Sequence, residues 1–219
     1  MIFPQIEYKT FLAYTRFIFD YGFKISLKII LYEFKFRNYY KDYTANYIPS
    51  NKLNVKNYDL QKITGYSPSY YYYLNLTKLF FENKNIKFDN LYDLGFGTGR
   101  VLYFLQNLAN NIYGFEISKK LFDIGNIKLK EMISKKKKLE LSYINALKFL
   151  KYKNNSIIFL FDPFTEVNDL NIVLNNISHL KNSYLVYANP RFRNIVKGKF
   201  KEVFFLENHN FRGISIFKI

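Results

Sequence analysis

The sequence predicts an α/β domain with a doubly wound, mostly parallel seven-stranded sheet and an N-terminal helical extension. Three observations carry this. From Phe88 onward, short apolar runs alternate with helix-length segments, at the spacing of βαβ units. The middle runs, above all IIFLF at 157–161, are apolar throughout, as strands covered on both faces require. A glycine-rich stretch, LYDLGFGTGR at 91–100, joins the first of these runs to a helical segment, where parallel sheets build ligand sites.

The elements follow in order. Two amphipathic segments occupy the chain to about Asn38. In the second, Leu27, Ile30, Leu31 and Phe34 recur at helical spacing, with Lys24, Lys28 and Lys35 assigned to the opposite face. The plainest expectation is a helix packed on the main domain. A lid over the substrate or a membrane-surface contact are the other uses of a basic amphipathic helix. Tyr39 to Leu60 reads as a polar, aromatic connector. The expected division is therefore 1–60 for extension and connector and 61–219 for the ligand-binding domain. Pro68 biases Ser67 toward extended backbone, and a helix is expected from near Ser69.

LYDLG is the first strand and GRVLYFLQNLAN its helix. IYGFEI is the second strand, followed by a helix over SKKLFDIGNIKLKEMI with Ser118 as cap. LELSYI and IIFLFD are strands, Glu166 to Leu180 a helix, and SYLVYA a strand with a short helix behind it. VFFLE and GISIFKI close the chain as two strands joined by a turn at Asn208 to Arg212.

Composition excludes several chemistries. With no cysteine there is no disulfide, thiolate metal site or cysteine nucleophile, and His179 and His209 are the only imidazoles. Neither has an acid nearby in sequence to form a catalytic pair, and no metal is expected. The start lacks a basic region followed by an apolar run, and no stretch reaches ~18 consecutive apolar residues, so a cytoplasmic location is the default. The net charge of +16 invites a nucleic-acid reading. Lysine nevertheless outnumbers arginine 27 to 6, and arginine is the better bidentate reader of phosphates and bases. The lysines are scattered, and the dense SKKKKLE cluster at 134–140 reads as a solvated helix end, so specific nucleic-acid recognition is not expected.

The glycine loop supplies the sharpest site. Gly95, Gly97 and Gly99, with Phe96 between them, let the backbone turn tightly and approach a ligand. A dinucleotide fingerprint would place a third glycine at residue 100, which is Arg100. The G-x-G-x-G spacing, with Asp93 on the preceding strand, suits instead a nucleoside ligand whose charged part is a zwitterionic amino acid. Glu116, followed by Ile117, ends the second strand, where a carboxylate accepts hydrogen bonds from both hydroxyls of an unphosphorylated ribose. Asn145 and Ala146 follow the third strand, where a side-chain amide meets an adenine edge. Asp162, Pro163 and Phe164 end the strand across the switch point: an oxygen acceptor, a stiff turn and an aromatic wall suited to positioning a nucleophile. Asn189 and Arg191, at the tip of the next strand, are further candidates for the acceptor pocket.

In these motifs the sequence resembles the class I S-adenosylmethionine-dependent methyltransferases, and more narrowly a small, largely uncharacterised bacterial family with an Asn/Asp-Pro-Phe motif. The resemblance runs from about Tyr43 to the C-terminus, through GYSP at 65–68, YDLGFGTGR at 92–100, GFEIS at 114–118, FDPF at 161–164 and YANP at 187–190. It implies a Rossmann-like methyltransferase fold with S-adenosyl-L-methionine as cofactor. Asp93 and the three glycines would hold the methionine end, Glu116 the ribose, and Asn145 and Ala146 the adenine side. Asp162, Pro163 and Phe164 would lie beside the reactive methyl, and Tyr66 and Ser67 in a closing loop. The chain departs from the family pattern with Thr98 in place of a common lysine and Asp162 in place of a common asparagine. The implied reaction is direct displacement onto an unidentified acceptor, a small molecule or a protein side chain. Two rival readings stand beside it: a NAD-dependent oxidoreductase, and a basic nucleic-acid-binding or membrane-peripheral module that retains a methyltransferase-like fold.

Overall fold

The computed structural model describes residues 18–19, 21–36, 40, 55, 68–207 and 213–219. Tyr66, Ser67, most of the connector, His209 and the 208–212 turn lie outside the described residues. Helix α1 spans Phe23–Phe36 and α2 Tyr71–Asn83. Strand β1 (Phe88–Leu94), helix α3 (Arg100–Leu105), β2 (Ala109–Glu116), α4 (Lys119–Met132) and β3 (Lys138–Tyr143) form the first half of the sheet. Strand β4 (Ser156–Phe161), α5 (Val167–Ile177), β5 (Tyr184–Ala188), α6 (Arg193–Lys197), β6 (Lys201–Glu207) and β7 (Gly213–Lys218) form the second.

The seven strands run in the order β3-β2-β1-β4-β5-β7-β6. The first five are mutually parallel, and β7 is antiparallel to both β5 and β6. The mostly parallel seven-stranded sheet is therefore present, with the final pair as expected. Side chains alternate between two cores. Leu91, Ile112, Ile157 and Phe159 face one packed by α1 to α4, and Tyr92, Tyr113, Ile158 and Leu160 face one packed by α5 and α6. This alternation is why IIFLF has no polar position.

Several boundaries moved. The helix after the glycine loop ends at Leu105, a 3₁₀ turn covers Gln106–Leu108, and β2 begins already at Ala109. Helix α5 stops at Ile177, leaving His179 exposed in the turn beyond it. No helix joins β3 to β4, only a 3₁₀ turn at Ala146–Lys148. Aromatic rings cover the sheet there: Tyr92 stacks on Tyr113 with centroids 4.7 Å apart, and Phe149 packs on Phe115 at 4.3 Å.

The largest correction concerns α1. Leu27, Leu31 and Phe34, expected against the main domain, are 46%, 56% and 69% exposed. The buried arc carries Ser26 and Ile29 instead, with Ile25, Tyr32 and Phe36 packed against the core. Helix α1 thus docks through the side opposite to the one its leucines suggest. At 3.6 residues per turn the three lysines flank the exposed stripe along one side rather than opposing it. Among the described residues no helix is long and apolar enough to cross a membrane.

Candidate functional site

The site lies at the carboxyl ends of β1 and β4, the point where the strand order reverses. Strand β1 ends in Leu94, and the loop leaves through Gly95 and Phe96, whose N–H groups both donate to the Phe115 carbonyl at 2.8 and 3.1 Å. Gly95 has φ +97°, in the left-handed region, and a Cβ there would meet nothing nearer than Pro163 Cβ at 3.9 Å. The backbone at Gly95 therefore faces open space.

The other loop residues do different work. Phe96 is buried in a slot where a Cβ on Gly114 would come within 2.7 Å of its ring and one on Gly125 within 2.6 Å. Gly99, at φ +99°, lets Leu129 and the Tyr40 hydroxyl approach; a Cβ there would stand 2.6 and 2.8 Å from them. Thr98 is buried, and its carbonyl accepts a hydrogen bond from Tyr40. Gly99 is the residue before α3, so Thr98 stands near the helix start. Gly125 was not foreseen as part of this arrangement, although an isolated glycine inside a helical pattern signals close packing.

Two buried carboxyls stand side by side. Glu116 Oε2 accepts the Gly97 N–H at 2.8 Å and its Oε1 the Ser118 N–H at 2.7 Å. The Ile117 N–H also helps to hold the carboxylate. Burial raises the Glu116 carboxyl above its ordinary value, and the backbone donors partly hold it down. Asp93, buried on β1, has an Oδ2 with no hydrogen-bond partner among the described residues. Burial pushes its carboxyl well above the usual range, and the charge of Glu116 adds to this. A buried carboxyl oxygen without a partner calls for an explanation, such as a water or a ligand donor.

Gly95, Ile117, Asn145, Ala146, Pro163 and Phe164 line one small cleft, half open to solvent. Leu94, Phe115 and Ile144 complete the wall; sequence patterning hides such residues, because an apolar lining reads as core. Asn145 uses its side-chain oxygen to cap the 3₁₀ turn, accepting the Leu147 N–H at 2.9 Å. Its amide nitrogen is the group left to donate.

Asp162 has φ +39° and turns its carboxyl toward β5. Oδ1 accepts from the Tyr187 hydroxyl at 3.2 Å, and Oδ2 pairs with Arg191 at 3.0 Å. Burial, with the adjacent carboxylate, keeps Tyr187 protonated far above its ordinary range. Asn189, the other candidate at the β5 tip, is a brace. Its side chain donates to Tyr21 and accepts from the Gly213 N–H, both at 3.4 Å. Arg100, which occupies the third-glycine position, reaches away from the loop. It is buried, pairs with Glu33 of α1 at 2.9 Å, and lies over the Tyr71 ring. Among the described residues no group of His, Cys, Asp and Glu could hold a metal ion.

No protein-family model matches the sequence, and no curated protein matches it. Solved structures do. One is a Pyrococcus horikoshii protein assigned as an RNA methyltransferase, at 17% identity and TM-score 0.53, covering 77% of this chain and 93% of that one. Another is the N-methyltransferase NodS of Bradyrhizobium japonicum, at 11% identity and TM-score 0.50, covering 66% and 89%. A third is a Haemophilus influenzae protein assigned as a methylase, at 14% identity and TM-score 0.50, covering 65% and 95%. The chain shares the Rossmann-like fold of these methyltransferase structures.

Proposed function

We propose that this chain transfers a methyl group from S-adenosylmethionine to a nucleophile presented beside Pro163 and Phe164. The observation that carries the reading is the convergence of four separate loops on one cleft: Gly95, Ile117, Asn145–Ala146 and Pro163–Phe164. Glu116, one residue before Ile117, and Asp93, two before Gly95, adjoin the cleft-lining residues in sequence, and Asp93 Oδ2 has no hydrogen-bond partner among the described residues.

The residues fit the cofactor chemically. The open backbone at Gly95 admits an amino-acid end, and Asp93 Oδ2 accepts from its ammonium directly or through water. The two oxygens of Glu116, held by Gly97 and Ser118, accept from a ribose diol. Ile117, Ala146 and the Asn145 amide edge flank a flat base. Bound S-adenosylmethionine supplies an electrophilic methyl on a sulfonium. The protein's own share is proximity and alignment, with Phe164 as wall and the Asp162 turn fixing the acceptor's approach. Asp162 is already paired with Arg191 and bonded by Tyr187, which suits positioning better than proton abstraction.

The test is calorimetric titration with S-adenosylmethionine, its demethylated product and NAD, followed by a methyl-transfer screen of acceptor extracts. Binding of the first two and not of NAD is the expected result. Binding of NAD with no response to either sulfur ligand would overturn the reading in favour of an oxidoreductase. Within it, Glu116→Ala should weaken cofactor binding by ~1.5–3 kcal/mol.

A further inference from the structure

We infer that the outward face of α1 is a docking surface for an anionic lipid bilayer. This stands apart from the proposed methyl transfer and uses none of the cleft residues. Phe23, Leu27, Leu31 and Phe34 follow one another along one side of α1 and are 72%, 46%, 56% and 69% exposed. Four large apolar side chains in a row on a helix already anchored by its other side form a patch, not scattered exposure. Phe19, before the left-handed turn at Gly22, is exposed too.

Charge selects the occupant. Lys24, Lys28 and Lys35 run along one flank of the stripe. Lys28 Nζ lies over the Tyr72 ring at 5.7 Å and Lys35 Nζ over the Phe36 ring at 5.4 Å, cation–π contacts on the flank of the stripe. The helix contains a single acid, Glu33, and it is turned inward, receiving the Tyr71 N–H and the Arg100 guanidinium. The outward surface of α1 therefore presents apolar side chains and cations and no anion. That combination matches the acyl–headgroup boundary of an anionic leaflet, where buried apolar area and lysine attraction add. A second copy matches poorly. Pairing this face with itself would set like lysine rows together on chains that each carry +16. Nucleic acid would engage the lysines but leave the phenylalanines in water.

The sequence contains no tryptophan, so a single introduced indole reports on its own position. Phe34→Trp is placed on the stripe and Ile127→Trp, exposed on α4, serves as control. Each full-length variant is mixed with neutral phosphatidylcholine vesicles and with vesicles containing about one quarter anionic lipid, at ~0.15 M salt. The Phe34→Trp emission should shift to the blue and be quenched by brominated acyl chains on anionic vesicles, while the Ile127→Trp emission stays put. A triple variant, Phe23→Gln, Leu31→Gln and Phe34→Gln, should lose at least ~10-fold in anionic-vesicle affinity by sedimentation. Its circular dichroism should be unchanged, since all three side chains are exposed. A companion variant, Lys135→Gln with Lys136→Gln, should stay within ~3-fold of the parent. Four results would each overturn the inference: no blue shift with anionic vesicles, an equal shift with neutral ones, undiminished binding by the triple variant, or self-association that the triple variant abolishes. The last would assign the face to a second copy.

Discussion

Asp93 and Glu116 stand on adjacent parallel strands, both buried, and both carboxyls are raised by loss of solvent. A raised carboxyl favours its neutral form in the folded state. Its contribution to stability is therefore complete below the ordinary value of ~4 and is lost as pH rises through the folded-state value. Asp93→Asn removes that penalty at Asp93. It should raise Tm by about 2–4 °C at neutral pH, equivalent to ~1 kcal/mol, with the gain vanishing in acid. Pairing with a cationic ammonium requires Asp93 ionised, so cofactor affinity should weaken as pH falls. Calorimetry in buffers of different ionisation enthalpy should register proton release on binding. Asp162 makes the complementary case. Its charge is matched by Arg191, so Asp162→Asn should lower kcat by at most ~10-fold, where loss of a general base costs ~10²–10⁴-fold. Single-turnover transfer decides between them; a loss of ~100-fold or more with cofactor affinity intact would make Asp162 the base and the acceptor a hydroxyl. The carboxyls and the Asp-Pro-Phe turn were legible in sequence because they follow strands at fixed offsets. The Arg191 pairing was not, since it depends on how the tips of β4 and β5 are juxtaposed.

Helix α4 and the glycine loop form one packed unit. Gly125 lies against Phe96, the Gly97 carbonyl and Thr98, at Cβ distances of 2.6, 2.9 and 3.1 Å. A methyl group there must displace backbone as well as a ring. Gly125→Ala should destabilise the fold by ~1–3 kcal/mol and weaken cofactor binding, because the displaced backbone is the loop itself. Denaturant unfolding with parallel ligand titration measures both; unchanged affinity would mean that helix and loop are not coupled. At this scale strands read well, since their apolar runs are unambiguous. Helix α1 did not, because it carries two apolar arcs: Phe23, Leu27, Leu31 and Phe34 on one, and Ile25, Ile29, Tyr32 and Phe36 on the other. Periodicity detects an apolar face but cannot choose between two. Glu33 marks the docked side: its carboxylate meets Arg100 and the start of α2. Between β3 and β4, read in the sequence as one strand directly after another, aromatic stacking covers the sheet in place of a crossover helix.

In the molecule as a whole, the described residues of the N-terminal segment share the main core. Tyr21, Ile29 and Tyr40 belong to the same buried cluster as Phe81, Leu102 and Ile157, and Tyr40 holds the glycine loop through Thr98. A chain beginning at Tyr43 should therefore lose its cooperative thermal transition, as followed by circular dichroism. Retention of the transition together with cofactor binding would make the segment a separate extension. The closing strands have a different consequence, which concerns the order in which the polypeptide is made. Strand β6 pairs with β7 alone, yet β7 is synthesised after it and must slip between β5 and β6. As the chain elongates, β5 first presents an open edge bearing Leu185 and Val186, and β6 then emerges with no ladder to join. Unpaired edges of this kind invite association with other nascent chains. The outer edge of β5 is closed only when β7 is inserted.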